Sequence, residues 1–315
     1  MLHPDTLSAW TDQKGREHAG KVCGSKGEFK VIECACCEFK HVIPLPTAEE
    51  LETVYAHEYY TQEKPLYIER YLQDRRWWEN VYDLRLQLFE KFLDQSERKI
   101  LDIGSGPGIF LAKARNRGWL TMGLEPSKEA ANFSQNKLGL DIKNIFYNNE
   151  SSARIGKFSC VHIGEVLEHI TDPEAFVLQT KENLEKNGLL AAIVPNDFNP
   201  IQILISKEQK KKPWWIAPPH HLNYFNPKSL TILLEKCGFE IIHLENTFPI
   251  DLFVLMGLDY VENDDIGRNA HGMRMSFENI LFESNSEERE IIKTLYKKFT
   301  EIGIGREIFI VGRKK

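Results

Sequence analysis

A glycine-rich segment near residue 104 is the part of the sequence best suited to binding a ligand. Gly104, Gly106 and Gly108 stand at alternate positions directly after an apolar run that ends in Asp102 and Ile103. Because glycine has no Cβ atom, a ligand can approach the backbone closely at such a turn. In open α/β sheets, ligands bind at the carboxyl ends of the strands. The segment therefore predicts a ligand-binding turn between a strand and a helix.

Two carboxylates flank this turn. Asp102 stands at the end of the first strand, where it can meet a positive charge such as an ammonium group. Glu125 follows the next strand, where it can accept hydrogen bonds from both hydroxyls of a ribose. A nicotinamide dinucleotide site has the pattern Gly-x-Gly-x-x-Gly, but Ile109 occupies the position of its last glycine. The spacing therefore favours S-adenosylmethionine (SAM) over a nicotinamide dinucleotide.

Further candidates for chemistry lie later in the chain. Glu165 and His169 are four residues apart, so both can face the same side of a helical turn. We expect Glu165 to contact a ligand and His169 to have a structural role. A histidine at the carboxyl ends of the strands can act as a general base or can fix a loop, and both interpretations stay open for His221. Tyr224 can orient a bound molecule or pack in the core.

The cysteines are unevenly distributed. Four of the six fall within one short stretch: Cys23, Cys34, Cys36 and Cys37. In a reducing compartment, such crowding favours a metal site over disulfide bonds.

The elements that position these residues follow from the pattern of apolar residues, in which strands and helices alternate from Lys99 onward. Strands are predicted over 99–103, 120–124, 142–147, 158–163, 189–194, 239–244 and 307–311. Helices are predicted from Thr47, over 67–93, from the glycine turn to Gly118, from Ser127 to Gly139, from Asp172 to Gly188 and from Asn226 to Gly238. This alternation predicts an α/β fold with a doubly wound, Rossmann-like, seven-stranded and mostly parallel sheet that has helices on both faces.

Composition limits the class of protein. The chain has 315 residues and a formal net charge of −6, whereas a general nucleic-acid binder usually carries a basic excess. No basic segment leads into an apolar run at the N-terminus, and no apolar run reaches the length of about 18 residues that a membrane span needs. We therefore expect a cytoplasmic protein that acts on a small molecule, without nucleic acid and without a membrane span.

Several motifs in order carry a resemblance to a known family. They are Asp102-Ile-Gly104-Ser-Gly106-Pro-Gly108, Gly123-Leu-Glu125-Pro-Ser127, Glu165-Val-Leu-Glu168-His169, Val194-Pro195-Asn196 and Pro218-Pro-His-His221-Leu-Asn-Tyr224-Phe225. The set resembles the motifs of class I SAM-dependent methyltransferases. The last segment resembles a subgroup in which many members act on sugars, quinones or natural products.

The resemblance implies roles for individual residues. It assigns the cofactor SAM to Asp102, Gly104, Ser105, Gly106, Gly108, Glu125, Pro126 and Asn148. It assigns catalysis to His221, Tyr224 and Glu165, with His221 as the general base for a small-molecule acceptor such as a sugar, a nucleotide-linked sugar or another metabolite. Asn148 departs from the family pattern, which often has an acid that contacts adenine. The lysines and tryptophans of residues 207–215 can bind an anionic acceptor or form a solvated loop.

The resemblance also implies a zinc ribbon before residue 45. Cys34 and Cys37 form one Cys-x-x-Cys pair, but Gly20 stands where the first cysteine of the other pair belongs. Cys23, Cys34, Cys37 and His18 would then make a closed structural zinc site. A ribbon that has lost its metal and buries free thiols is the alternative.

The pattern along the chain, together with the resemblance, divides it into four parts. They are a zinc-ribbon-like segment (1–45), a helical cap (46–95), a SAM-binding core (96–246 and 301–315) and a helical insertion that shapes the acceptor pocket (247–300). Two other classes stay open at this point, namely an NAD(P)-dependent oxidoreductase and a non-catalytic binding protein that keeps the fold.

Overall fold

The computed structural model describes residues 6–47, 50–51 and 66–315. Its strands are β1 (Leu7–Thr11), β2 (Glu17–Lys26), β3 (Phe29–Cys34), β4 (Lys40–Ile43), β5 (Lys99–Ile103), β6 (Leu120–Leu124), β7 (Ile142–Lys143), β8 (Phe158–Gly164), β9 (Leu184–Pro195), β10 (Asn223–Tyr224), β11 (Phe239–Asn246) and β12 (Glu307–Lys314). Its α-helices are α1 (Tyr67–Gln73), α2 (Arg75–Glu90), α3 (Ile109–Asn116), α4 (Lys128–Leu138), α5 (Asn149–Ile155), α6 (Pro173–Glu182), α7 (Pro200–Glu208), α8 (Pro227–Lys236), α9 (Leu252–Leu255), α10 (Asp264–Phe282) and α11 (Ser286–Glu301).

The larger sheet has seven strands in the order β11-β12-β9-β8-β5-β6-β7. The five strands from β9 to β7 pair in parallel, whereas β12 and β11 pair antiparallel. The chain runs from β5 outward to β6 and β7, and then returns to β8 on the other side of β5. The strand order therefore reverses between β5 and β8, which is where open α/β sheets form a ligand-binding crevice. The predicted seven-stranded, mostly parallel sheet is confirmed.

Helices cover both faces of this sheet. On one face, α2 and α3 bury Leu86, Phe89 and Leu111 against the strands. On the other face, α6 and α8 bury Val177 and Leu233. Strands that are buried on both faces consist of continuous apolar runs, which is why residues 189–194 are all apolar.

The smaller sheet is antiparallel and has the order β1-β2-β3-β4-β10. Its first four strands come from the N-terminal segment, whereas β10 lies more than 170 residues later in the chain. In the pairing of β10 with β4, Asn223 stands opposite His41 and Tyr224 opposite Lys40. The N-terminal sheet is therefore joined through β10 to the segment that contains His221.

Residues 247–301 contain helices α9, α10 and α11. The buried Glu278 of α10 accepts hydrogen bonds from Trp77 Nε1 (2.6 Å) on α2 and from Arg274 Nε (3.1 Å). The hydroxyl of Tyr296 on α11 donates to the same carboxylate. One buried acid therefore connects three helices. Among the described residues, no helix combines the length and the apolar character that a bilayer span requires.

The prediction of one continuous helix over 67–93 is wrong, because the helix is interrupted at Asp74. The Asp74 carboxylate accepts hydrogen bonds from the Arg268 guanidinium and lies 3.4 Å from His271 Nε2. Both partners belong to α10, so the break occurs where this helix is anchored.

Two further boundaries differ from the prediction. The third strand ends at Lys143 instead of 147, because the Asn144 amide donates to the carbonyls of Glu125 and Pro126 and the chain turns away from the sheet. Gly188 does not end a helix. That helix stops at Glu182, and β9 begins at Leu184 with an irregular stretch before its regular pairing.

The predicted helix starts are confirmed where they can be compared. Ser127, Asp172 and Asn226 each accept a hydrogen bond from a backbone N–H of the first turn. Thr47 and Glu50 form the expected capping box. The continuation of this predicted helix beyond residue 51, like the two tyrosines at 59–60, lies outside the described residues. Helices α5 and α7 were not predicted.

The buried ion pair of α10 gives a stability prediction. In Arg274→Ala, Glu278 remains buried without its cation, so the free energy of unfolding should fall by about 3–5 kcal/mol in urea denaturation. Arg154→Ala is the matched control, since it removes an exposed pair with Glu150 that contributes about 1 kcal/mol or less. Equal losses in the two variants would contradict the structural importance of the buried pair.

Candidate active site

The glycine turn joins β5 to α3 and adopts the conformation that its sequence predicts. Gly104, Gly106 and Gly108 all have positive φ angles, of 73°, 53° and 77°. The backbone N–H groups of Gly104 and Ser105 donate to the carbonyl of Leu124 at 2.8 and 3.1 Å. A Cβ atom on Gly104 would lie only 2.7 Å from the Val166 side chain. The turn therefore requires glycine both for backbone conformation and for space.

Glu125 is locked against this turn. Its two carboxylate oxygens accept hydrogen bonds from the backbone N–H groups of Gly106 (2.7 Å) and Ser127 (2.8 Å). Burial raises the pKa of Glu125 to about 7, although both hydrogen bonds act in the opposite direction. The carboxyl group faces a pocket, so it can still accept a hydrogen bond from a ligand.

Asp102 pairs with a histidine that the sequence analysis did not single out. His162 on β8 lies opposite Asp102 on the parallel strand β5, and its Nδ1 is 2.7 Å from the Asp102 carboxylate. The His162 ring stacks on Phe110, with 3.9 Å between ring centroids. Both members of the pair are buried and border the pocket. Only the pairing register of β5 with β8 brings them together, and no local pattern in the sequence indicates it.

These residues surround a pocket of about 380 Å³ at the carboxyl ends of β5, β6 and β8. Of the predicted cofactor residues, those on its wall are Asp102, Gly104, Ser105, Gly106, Glu125 and Pro126. Gly108 and Asn148, by contrast, are not among the residues that border the pocket. Gly108 precedes α3, and the Asn148 side chain caps α5 by accepting from the Ser151 N–H at 2.9 Å. An adenine contact by the Asn148 side chain is therefore not supported.

Aromatic side chains from α1 and α2 form a further part of the pocket wall. Tyr71 stacks on Trp78 with 5.0 Å between centroids and an interplanar angle of 4°, and Trp78 stacks on Tyr82. All three side chains border the pocket, together with Arg85. The helical spacing of these residues does not by itself show which buried face meets a ligand.

Glu165 and His169 lie on the wall that follows β8. Glu165 has a positive φ of 55° and its N–H donates to the carbonyl of Ile193 at 2.8 Å. His169 Nδ1 is 2.7 Å from the backbone oxygen of His220. A carbonyl oxygen only accepts, so Nδ1 carries the hydrogen and the second ring nitrogen, Nε2, is the basic one in the neutral ring.

His221 lies next to His169 but outside the described pocket wall. Their ring centroids are 5.2 Å apart, and His221 Nδ1 is 3.7 Å from the Asp197 carboxylate. The buried Tyr224 has its hydroxyl within the same loop, where it accepts from the Ala217 N–H and donates to the His221 carbonyl. These contacts favour a structural role for Tyr224 over the predicted catalytic one.

The structure brings together three of the four predicted metal ligands, namely His18, Cys34 and Cys37, and adds His41 as the fourth. Cys23 does not belong to the group. It lies at an irregularity in the pairing of β2 with β3, and its thiol donates to the Lys21 carbonyl. The predicted ligand set is therefore wrong for Cys23.

A seven-stranded α/β sheet with a glycine turn at its switch point defines a Rossmann-like nucleotide-binding domain. The sequence profile of a family described as a methyltransferase domain matches residues 70–244. This match covers more than half of the chain. The chain belongs to this family, and the resemblance to class I SAM-dependent methyltransferases is confirmed.

Individual relatives are more distant. A tRNA U34 carboxymethyltransferase from Colwellia psychrerythraea is 28% identical over 51% of this chain and 50% of its own length. A ubiquinone biosynthesis O-methyltransferase from Dinoroseobacter shibae is 28% identical over 45% of this chain and 60% of its own length. A solved SAM-dependent methyltransferase from Archaeoglobus fulgidus has a TM-score of 0.48 and 17% identity, with coverage of 75% of this chain and 94% of that chain. The chain spans only about half the length of the curated relatives it matches.

The glycine turn gives a prediction with a matched control. Gly104→Ala and Gly118→Ala both place a side chain at positive φ, which costs about 1–2 kcal/mol in each case. Only at Gly104 does the new Cβ also meet another side chain, whereas nothing lies within 4 Å at Gly118. Gly104→Ala should therefore lower the free energy of unfolding further than Gly118→Ala in urea denaturation, and equal losses would contradict the described packing of the turn.

Proposed function

We propose that the protein is a SAM-dependent methyltransferase that acts on a small molecule with a hydroxyl group on a planar, largely apolar ring. The observation that carries this proposal is one pocket lined by two different sets of residues. The first set, here called the first wall, is the glycine turn with Asp102 and Glu125. The other set, the second wall, comprises the aromatic rings of α1 and α2 together with Glu165 and His169. Family membership supports the activity, and the pocket supports the acceptor class.

The first wall fits SAM in its polar groups. Ser105 Oγ and His162 Nε2 are buried at this wall without a hydrogen-bond partner among the described residues, which is unfavourable unless a ligand supplies one. We assign the ribose hydroxyls of SAM to Glu125 and its ammonium group to the carboxylate of Asp102. When bound, SAM supplies a methyl group on a sulfonium, which is already activated for transfer.

The NAD(P)-dependent alternative loses support. Ile109 occupies the position of the last glycine of the dinucleotide pattern, and the family profile is that of a methyltransferase domain. A non-catalytic role is also less consistent with the site, because buried polar groups border the pocket on both walls.

The second wall favours an aromatic acceptor. The faces of Tyr71, Trp78 and Tyr82 can stack on or pack around a planar ring. The basic stretch 207–215 does not contribute to the described pocket wall, since Trp215 is buried in another cluster and Lys211 pairs with Asp259. These contacts therefore do not support binding of an anionic, nucleotide-linked sugar by this stretch. The ubiquinone biosynthesis O-methyltransferases are named for methylation at oxygen, which agrees with a hydroxyl acceptor.

His169 is the side chain best placed to accept the proton of the hydroxyl. It borders the pocket, the carbonyl of His220 fixes the ring orientation through Nδ1, and the basic Nε2 lies 3.8 Å from the Glu168 carboxylate. His221 contacts the His169 ring edge-on and is not among the residues that border the pocket, so we assign it a positioning role. Bringing the reactants together supplies about 7–11 kcal/mol, whereas a general base contributes about 10²–10⁴-fold in rate.

The acceptor class can be tested by measuring radiolabel transfer from methyl-labelled SAM. Catechol-like phenols, nucleotide-linked sugars and tRNA would be compared at equal concentration. We expect turnover with the phenols, because they carry the reacting hydroxyl group directly on a planar ring that can pack against the aromatic side chains of the second wall. Turnover with tRNA or sugars alone would overturn the acceptor class and retain the methyltransferase activity.

The proton acceptor gives a second prediction. With an accepted phenol, His169→Ala should lower kcat by about 10²–10⁴-fold and leave the affinity for S-adenosylhomocysteine unchanged. His221→Ala is the matched control and should lower kcat less, since the His169 ring remains. Full turnover in His169→Ala, or a larger loss in His221→Ala, would refute this assignment.

The raised pKa of Glu125 gives a pH prediction. The ionised carboxylate is the better acceptor for ribose hydroxyls, and this form is populated as the pH rises through about 7. The affinity for S-adenosylhomocysteine, measured by calorimetry, should therefore be about tenfold weaker at pH 6 than at pH 8. Glu125→Gln should remove this dependence, and a wild-type affinity that does not vary with pH would exclude Glu125 from ribose binding.

A further inference from the structure

Four side chains of the N-terminal sheet direct metal-binding atoms at one another. They are His18 on β2, Cys34 at the end of β3, Cys37 in the following turn and His41 on β4. All four ligand atoms lie within 4.8 Å of one another, and every residue of the group except the half-buried Cys37 is buried. The group lies outside the proposed active site, and none of its members borders the pocket.

The spacing of these atoms matches tetrahedral coordination. His18 Nδ1 is 3.4 Å from the Cys37 sulfur and 3.8 Å from the Cys34 sulfur. Zinc bonds of about 2.3 Å to sulfur and about 2.1 Å to nitrogen place tetrahedral ligands about 3.4–3.8 Å apart. A zinc ion therefore fits between these side chains with little movement of the backbone.

Both histidines are oriented as metal ligands usually are. His41 Nδ1 lies 2.9 Å from the Val42 carbonyl, so it carries the hydrogen, and the buried Nε2 is left without a hydrogen-bond partner among the described residues. His18 Nε2 lies 3.5 Å from the Asp12 carboxylate, while its Nδ1 faces the two sulfurs. Metal-bound histidines typically bond a carbonyl or a carboxylate through the other nitrogen in this way.

The position of Gly20 explains why a four-cysteine ribbon does not form here. Gly20 pairs with Cys34 across the strands, and a Cβ on it would lie 1.9 Å from the carbonyl oxygen of Glu33. A cysteine at position 20 is therefore incompatible with this sheet. The ligands come from His18 and His41 instead.

We propose that His18, Cys34, Cys37 and His41 bind one zinc ion as a closed structural site. The site holds β2, β4 and the turn between β3 and β4 at a single point. His41 stands opposite Asn223 of β10, and the Asn223 amide donates to the carbonyls of Leu167 (2.9 Å) and Ile170 (2.7 Å). The zinc site therefore supports the loop that carries His169.

Metal analysis of ligand and non-ligand variants tests this proposal on the full chain. Wild type reconstituted with Zn²⁺ and freed of excess metal should retain about one zinc per chain. Cys37→Ser and His41→Ala should lose it. Cys23→Ser and Cys36→Ser are the matched controls and should keep it, because neither sulfur belongs to the group. A wild type without bound zinc, or a Cys23→Ser variant that loses zinc as His41→Ala does, would overturn the proposed site.

Two further measurements avoid variants that fail to fold. In the wild type, Co²⁺ should give the intense visible bands of a tetrahedral site with thiolate charge transfer, and an octahedral spectrum would refute the site. Asp12→Ala leaves all four ligands in place but removes the carboxylate that orients His18. It should weaken zinc binding about 10–100-fold in a chelator competition, and unchanged affinity would exclude the proposed orientation of His18.

Discussion

The burial of two carboxylates at neighbouring strand ends is the constraint on which the rest of the site depends. An ionised carboxylate inside a protein is unfavourable unless hydrogen bonds or a positive charge compensate it. Asp102 meets this requirement through His162, whereas the backbone N–H groups of Gly106 and Ser127 offset part of the cost for Glu125, whose pKa stays raised to about 7. The hydrogen bond from the Gly106 N–H to Glu125 depends on the positive φ angle of the backbone at Gly106. The glycine turn therefore creates space for a ligand and also solvates the acid that would bind it.

The wall that carries His169 depends on a different part of the molecule. Strand β10 belongs to the N-terminal sheet through β4, and its Asn223 side chain ties it to the loop after β8. The Leu222 N–H donates to the Glu168 carbonyl at 2.7 Å and adds a further tie. The N-terminal sheet is thus tied through β10 to the loop that follows β8 of the larger sheet. The position of the loop that carries His169 consequently depends on contacts between residues that are more than 40 positions apart in the chain.

Features that depend on local chemistry could be predicted from the sequence, and those that depend on long-range contacts could not. The glycine turn and the caps at Ser127 and Asn226 follow from the conformational preferences of those residues. The pairing of Asp102 with His162 depends on the register of two strands separated by about 60 residues. In the same way, His41 joins the candidate group of metal ligands only through the pairing of β2, β3 and β4, whereas the family resemblance implied Cys23. The helix break at Asp74 depends on Arg268, almost 200 residues later.

The central claim is that the pocket beside Asp102 and Glu125 binds SAM. The most direct measurement is titration calorimetry at pH 8 with S-adenosylhomocysteine and, separately, NADH, on the wild type and on Asp102→Asn. We expect micromolar binding of S-adenosylhomocysteine, no binding of NADH, and clearly weaker binding of S-adenosylhomocysteine to the variant, which lacks the charge that meets the ammonium group. Binding of NADH instead, or equal affinity of the two proteins for S-adenosylhomocysteine, would contradict this account of the site.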